Sequence, residues 1–169
     1  MGCHNIDSLD CVSCNISSCC HPYMRTPVSK EDVIKKNINV DYLRYNKSKG
    51  MYFIERYTDG SCLFFDSLFK SCKLEPHQRP TSCLVFPVRL KWVGIEIDLR
   101  VILNLNCPSA FSMVKALMKD DKLTKRYVKT AVLLFDEDPY YVNYMLSNTA
   151  SFNYWLDIGS YQAWKREVV

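Results

Sequence analysis

The chain has 169 residues, 48% hydrophobic and 24% charged, with five glycines and seven prolines. That size and composition suit one globular domain and exclude a disordered, collagen-like or low-complexity chain. The formal net charge is +4 with every cysteine counted as neutral, a mild excess. The outlying number is nine cysteines, all of them in residues 1–107. Random placement would leave the tail bare only about 2% of the time, so cysteine chemistry belongs to the front of the chain.

In chain order, residues 3–27 read as a cysteine-rich loop with no basic start and no apolar stretch of the kind a secretory signal needs. The odd cysteine count and the adjacent Cys19 and Cys20 also argue against a disulfide framework, so an intracellular, reduced, cytoplasmic protein is expected. Met1-Gly2-Cys3 suggests lipidation, but the acylation pattern requires Ser or Thr where Ile6 stands. Ser29, three residues ahead of Asp32, predicts a helix N-cap. Val33, Ile34 and Ile38 supply a short apolar stripe that ends by Asn39. From Met51 the period becomes two: Tyr52, Ile54 and Arg56-Tyr57, the turn dipeptide Asp59-Gly60, then Cys62-Leu63-Phe64-Phe65 predict a β-hairpin. Val88, Leu90, Trp92, Ile95, Ile97, Leu99, Val101 and Leu103 alternate with mostly polar neighbours over 84–104, broken at Gly94, and predict a second hairpin with one buried face. Beyond Cys107-Pro108 the spacing is helical. One helix is expected on Phe111, Val114, Leu117 and Met118, and a second on Leu123, Tyr127, Ala131 and Leu134. Two more are expected at 141–146 and 154–164.

The predicted architecture is therefore α+β: a cysteine-rich loop and short helix, antiparallel hairpins, and a C-terminal helical subdomain. The boundary is expected near Pro108, with a cysteine-cluster metal-binding domain over 1–108 and the helical part over 109–169. The longest charge-free run, Pro139 to Leu156, carries Asn143, Ser147, Asn148, Thr149, Ser151 and Asn153. That many polar groups would be too costly in hydrocarbon, and no membrane partner is expected.

Apart from Cys3, the spacing is Cys11-x2-Cys14-x4-Cys19-Cys20, then Cys62-x9-Cys72-x10-Cys83, then Cys107. Two cysteines two residues apart can close on one metal ion, because a tight turn brings both sulfurs to one point. A zinc ribbon needs a second such pair, which is absent. Neighbouring side chains diverge, so Cys19 and Cys20 serve different sites or one is a spare. Cys62, Cys72, Cys83 and Cys107 stand at expected turns and strand ends, Cys83 at the start of the second hairpin, where thiolates can converge without disrupting a sheet. Burial as a small hydrophobe accounts for one or two cysteines, such as Cys62, but not for five in the first twenty residues.

The run Cys11-x2-Cys14, Cys19-Cys20, Asp59-Gly60-Ser61-Cys62-Leu63-Phe64, Cys72 and Arg79-Pro80-x2-Cys83-x2-Phe86-Pro87 resembles the YkgJ-type cysteine-cluster family, described as carrying a zinc- or iron-chelating domain. A similar cysteine pattern occurs in flagellin lysine methylases. The resemblance spans about Cys11 to Cys107, and its most specific piece is Arg-Pro-x2-Cys-x2-Phe-Pro after an isolated cysteine. It implies Cys11, Cys14, Cys19, Cys20, Cys62, Cys72, Cys83 and Cys107 as the metal-site set. The stretch between Cys14 and Cys19 lacks the family's usual Gly, and Glu75-Pro76-His77 stands where an aromatic often precedes Arg-Pro. The helical tail matches no part of the family, and no methylase activity carries over.

Cysteine-only ligation suits a structural zinc, which would staple loop to hairpins, and an iron–sulfur cluster such as 4Fe-4S, which could move electrons. The irregular spacing favours iron–sulfur. A redox dithiol at Cys11-x2-Cys14 would need a strand-to-helix setting that the polar N-terminal loop does not offer. His21 and His77 could each replace a thiolate, although a solvated or capping role suits them and His4 better. Arg79 could set its guanidinium against anionic sulfur as a cofactor-binding residue, or form a surface salt bridge. No nucleophile elbow, His-Glu-x2-His motif or phosphate-binding glycine loop occurs. The alternative function is a zinc-stapled, non-enzymatic module whose aromatic helical tail binds a partner protein. No Lys/Arg stripe interleaved with aromatics supports a nucleic-acid partner. Zinc on four thiolates, or an oxidised four-iron cluster on four thiolates, would lower the net charge by about two. The basic excess is therefore expected to be counter-charge to the cysteine site.

Overall fold

A computed structural model describes residues 26–69, 71–86, 88–102, 115, 117–148 and 154–168. Helices and antiparallel sheets give the expected α+β class. The described residues fall into two compact units, 26–84 and 85–168. The break comes at Leu84, not at residue 108, so the second hairpin shares a unit with the C-terminal helices.

In the N-terminal unit, β1 (Pro27–Val28) leads into α1 (Lys30–Lys35). The Ser29 side chain accepts from the Asp32 amide at 3.0 Å, the cap the sequence predicts. Asn37, at φ 50°, ends the helix. The amide of Ile38 donates to the Val33 carbonyl (3.1 Å) and that of Asn37 to Ile34 (3.4 Å), the paired bonds of a Schellman end. β2 (Leu43–Asn46) and β1 flank β3 (Met51–Ile54), both antiparallel to it. The predicted hairpin over 51–65 is thus only partly formed. Across the Asp59-Gly60 turn a single bridge joins Arg56 to Cys62, while β3 takes its sheet partners from upstream. Packing accompanies this pairing: Val28, Ile38, Ile54, Cys62 and Phe64 form one buried cluster that joins β1 and β3 to the chain beyond the Asp59-Gly60 turn. β4 (Phe65–Asp66) and β5 (Ser71–Cys72) form a separate short pair. The connection to α2 (Thr81–Leu84) passes through a 3₁₀ turn at Pro76–Gln78.

In the C-terminal unit, β6 (Val88–Val93) and β7 (Glu96–Ile102) form the predicted second hairpin. Gly94 takes φ 63° at the first of two turn residues, a conformation that favours glycine there. Val88, Leu90, Leu99 and Val101 are buried as the alternation requires, but Trp92 and Ile95 are 50% and 94% exposed. The apolar alternation therefore outruns the core at the hairpin tip.

α3 (Asp121–Glu137) and α4 (Pro139–Ser147) match the expected helices, each opened by an aspartate cap, Asp120 and Asp138. The expected helix on Phe111, Val114, Leu117 and Met118 lies largely outside the described residues. The expected helix over 154–164 is corrected: Tyr154–Ser160 is a strand, β8, antiparallel to β7, and only Tyr161–Val168 is helical (α5). β7 offers an open edge, and Asp157 faces Arg100 across it with an ion pair at 2.9 Å. Gly159 at φ 106° would also interrupt a helix.

α5 packs on α3 through Tyr161, whose hydroxyl donates to Asp136 at 2.7 Å beside Lys165, itself 2.7 Å from the same carboxylate oxygen. Burial first, and then the Asp136 carboxylate, hold the Tyr161 hydroxyl well above the ordinary tyrosine range. The folded state thus keeps a proton that the unfolded chain loses near pH 10, so this contribution is full below pH 10 and fades as pH rises further. Tyr161→Phe is expected to flatten the loss of stability of this unit between about pH 10 and 11.5, read by tryptophan fluorescence in urea. An unchanged alkaline slope would show that another group carries it.

Candidate metal centre

Of the eight cysteines in the expected metal-site set, Cys62, Cys72 and Cys83 are described, all in the N-terminal unit. Cys11, Cys14, Cys19, Cys20 and Cys107, like Cys3, His4 and His21, lie outside the described residues. Cys62 follows the Asp59 turn, where the carboxylate accepts from the Ser61 amide (2.8 Å) and hydroxyl (2.6 Å). These two bonds hold the Asp59 carboxyl below the usual carboxylate range. Cys62 is 5% exposed within the apolar cluster, and its carbonyl accepts from the Phe65 amide at 2.8 Å. Cys72 sits opposite Phe65 on β5, half-buried against the same cluster.

The connection from Cys72 to Cys83 is held by backbone bonds. Glu75 and Gln78 form a reciprocal capping box around the 3₁₀ turn. Arg79, only 5% exposed, donates from Nε to the Leu74 carbonyl at 3.1 Å. Arg79 is therefore buried inside the unit rather than at the surface, on the segment joining two of the cysteines. His77 is exposed on the turn.

Cys83 does not open the second hairpin as expected; it stands on α2, where its amide donates to the Pro80 carbonyl at 2.9 Å. α2 is fastened at two points. Ser82 Oγ donates to the Pro27 carbonyl at 2.6 Å, tying the turn to β1. Asp32 Oδ2 accepts from the Thr81 amide at 2.6 Å, and Oδ1 accepts from Thr81 Oγ1 at 3.1 Å. Lys36 Nζ lies 2.7 Å from Asp32 Oδ1 and donates to Thr81 Oγ1 at 3.0 Å. Asp32, Thr81 and Ser29 are almost fully buried.

Comparison of the chain with protein-family models, with curated proteins and with solved structures finds no match.

Among the described residues, no three His, Cys, Asp or Glu side chains form a group that could hold a metal ion. Cys62, Cys72 and Cys83 carry thiols, the donor type for a thiophilic metal, and in an apolar setting such as that of Cys62 and Cys72 a thiolate forms readily only next to positive charge. A thiophilic metal supplies such charge, and the buried Arg79 brings more to the same segment. Sequence reasoning missed Asp32, Lys36 and Thr81 as part of this region. Asp32 was legible as a first-turn acid, but nothing local signals a partner 49 residues away.

Among the described residues, no helix is long and apolar enough to cross a membrane.

Proposed function

We propose that the chain is a metal-binding protein whose cysteine thiolates hold an iron–sulfur cluster used in redox or metal-dependent chemistry. What supports this reading is that the three described cysteines lie in one unit, the N-terminal one. Cys62 and Cys72 pack on one apolar cluster, Cys83 stands on a turn fastened beside β1, and the buried Arg79 lies on the connecting segment. The resemblance to the YkgJ-type family adds Cys11, Cys14, Cys19, Cys20 and Cys107 to the ligand set. In such a site a cluster supplies one-electron redox capacity. The chain's own residues have other tasks. The apolar cluster around Cys62 excludes water, and Arg79 offsets thiolate charge. The Asp32–Thr81 bonds orient the turn that carries Cys83.

Zinc is the rival occupant, in a stapled protein-interaction module. Exposed apolar side chains on the helices, Leu133 at 51% on α3 and Tyr140 at 59% on α4, would give such a module contacts for a protein partner.

Anaerobic purification separates the two. The expected product is brown, with iron and acid-labile sulfide. A colourless protein with stoichiometric zinc overturns the iron–sulfur reading, and a metal-free protein that stays folded on intact disulfides overturns both. Cys83→Ser is expected to reduce bound metal severalfold under either occupant. Wild-type metal content in that variant would remove Cys83 from the ligand set.

A further inference from the structure

We infer that Asp32 is the positioning residue for Cys83, an inference that rests on the metal–thiolate reading for its purpose but not for its geometry. The Arg79-Pro80-Thr81-Ser82-Cys83 segment has little regular structure of its own, since α2 is a single turn. A turn this short has no cooperative ladder to fix it, so its placement depends on contacts from outside. Asp32 provides them. It lies in α1, itself fixed by the Ser29 cap and the Schellman end at Asn37. Its two carboxylate oxygens accept from both the amide and the hydroxyl of Thr81, two bonds that resist rotation about the Thr81 backbone and sliding along α1. Lys36 is bonded to Asp32 Oδ1 and to Thr81 Oγ1, which closes the arrangement into a ring of three side chains. Cys83 follows two residues later, its amide already bonded to Pro80. A ligand held this way meets a metal without first being ordered, as outer partners do for ligating side chains elsewhere.

The test compares the full wild-type chain with Asp32→Asn and Thr81→Val. Thr81→Val keeps the branched shape and loses only the hydroxyl, so it stays informative if Asp32→Asn fails to fold. The first readout is iodoacetamide alkylation of the chain as isolated, resolved by cysteine. Labelling of Cys83 is expected to rise about tenfold or more in Asp32→Asn, and by less in Thr81→Val, with buried Cys62 unchanged. A parallel rise at Cys62 in both variants would mean loss of fold rather than of position, and would overturn the inference. So would an unchanged Cys83 rate in both. The second readout is cobalt(II) titration followed by thiolate-to-cobalt absorption, where Asp32→Asn is expected to weaken binding about 10–100-fold. Absorption that disappears in Cys83→Ser but is unaffected in Asp32→Asn overturns the inference and leaves the metal reading standing. A wild-type chain with no thiolate–cobalt absorption overturns the metal reading instead, and the alkylation ratio then decides the placement of Cys83 alone.

Discussion

Asp32→Ala is expected to destabilise the N-terminal unit by about 3–5 kcal/mol, the usual result of removing one partner from a buried ion pair. The magnitude follows from what is left behind. Lys36, with its side chain 14% exposed, would keep a charge whose counter-ion at 2.7 Å has gone. The Thr81 amide would lose its 2.6 Å acceptor inside the unit. An orphaned buried donor by itself costs about 1–3 kcal/mol. Adding Lys36→Met removes the stranded charge and is expected to recover about 1–2 kcal/mol, because an apolar pair of similar volume often replaces a buried ion pair at little cost. The reporter is Cys62, 5% exposed, whose labelling in rising urea reads the opening of this unit. Were the double variant no more stable than Asp32→Ala, the ion pair would not be the source of the loss.

Phe135→Ala is expected to cost the C-terminal unit about 3–5 kcal/mol, through lost burial and the cavity it leaves. Phe135 is 1% exposed on α3, with the Tyr141 ring stacked at 6.3 Å and the Tyr161 ring edge-on at 6.2 Å. It therefore joins α3 to both α4 and α5, and truncating it loosens two helix contacts together. The Tyr127 hydroxyl, about two turns earlier on the same helix, donates to the Phe86 carbonyl and anchors α3 near the start of β6. That bond should survive the substitution, so the helix is expected to stay formed while its C-terminal half loosens. All three tryptophans, Trp92, Trp155 and Trp164, follow Val85 in the chain. Tryptophan fluorescence in urea therefore reports on this unit. A shift of less than about 1 kcal/mol would show that the ring cluster is not the core contact it is taken for.

Local signals were legible where local physics decides. Ser29 and Asp32 announce a helix start, and the cap bond is there. The alternation over 88–101 announces a half-buried hairpin, and Val88, Leu90, Leu99 and Val101 fill its inner face. Partner choice was not legible. The Asp59-Gly60 turn predicts pairing of the strands on either side, but Met51–Ile54 pairs with Pro27–Val28 and Leu43–Asn46. A turn fixes which residues are near, whereas the buried cluster fixes which strands are adjacent, and the cluster draws on residues from Val28 to Phe64. The strand at Tyr154–Ser160 was hidden in the same way. Its apolar residues fit a helical reading, and only β7, some fifty residues upstream, makes it a strand. In the candidate metal centre, the thiols of Cys62, Cys72 and Cys83 were visible as a residue type and by position. The buried Arg79 and the Asp32–Thr81 grip depend on contacts between distant residues and carry no spacing signature.

The sheet of the C-terminal unit has a consequence for how the protein is made. β7 lies between β6 and β8, but β8 begins at Tyr154, long after β7 ends at Ile102. At about 5–20 residues per second, a ribosome needs roughly 3–10 s to synthesise the intervening stretch. Throughout that interval the β6–β7 hairpin has an unfilled edge on the β7 side, and Trp92 and Ile95 are at its tip. A bare strand edge with exposed apolar side chains invites pairing with another nascent chain. Synthesis of Tyr154–Ser160 fills the β7 edge and closes that window, whereas Trp92 and Ile95 stay exposed once the sheet is complete.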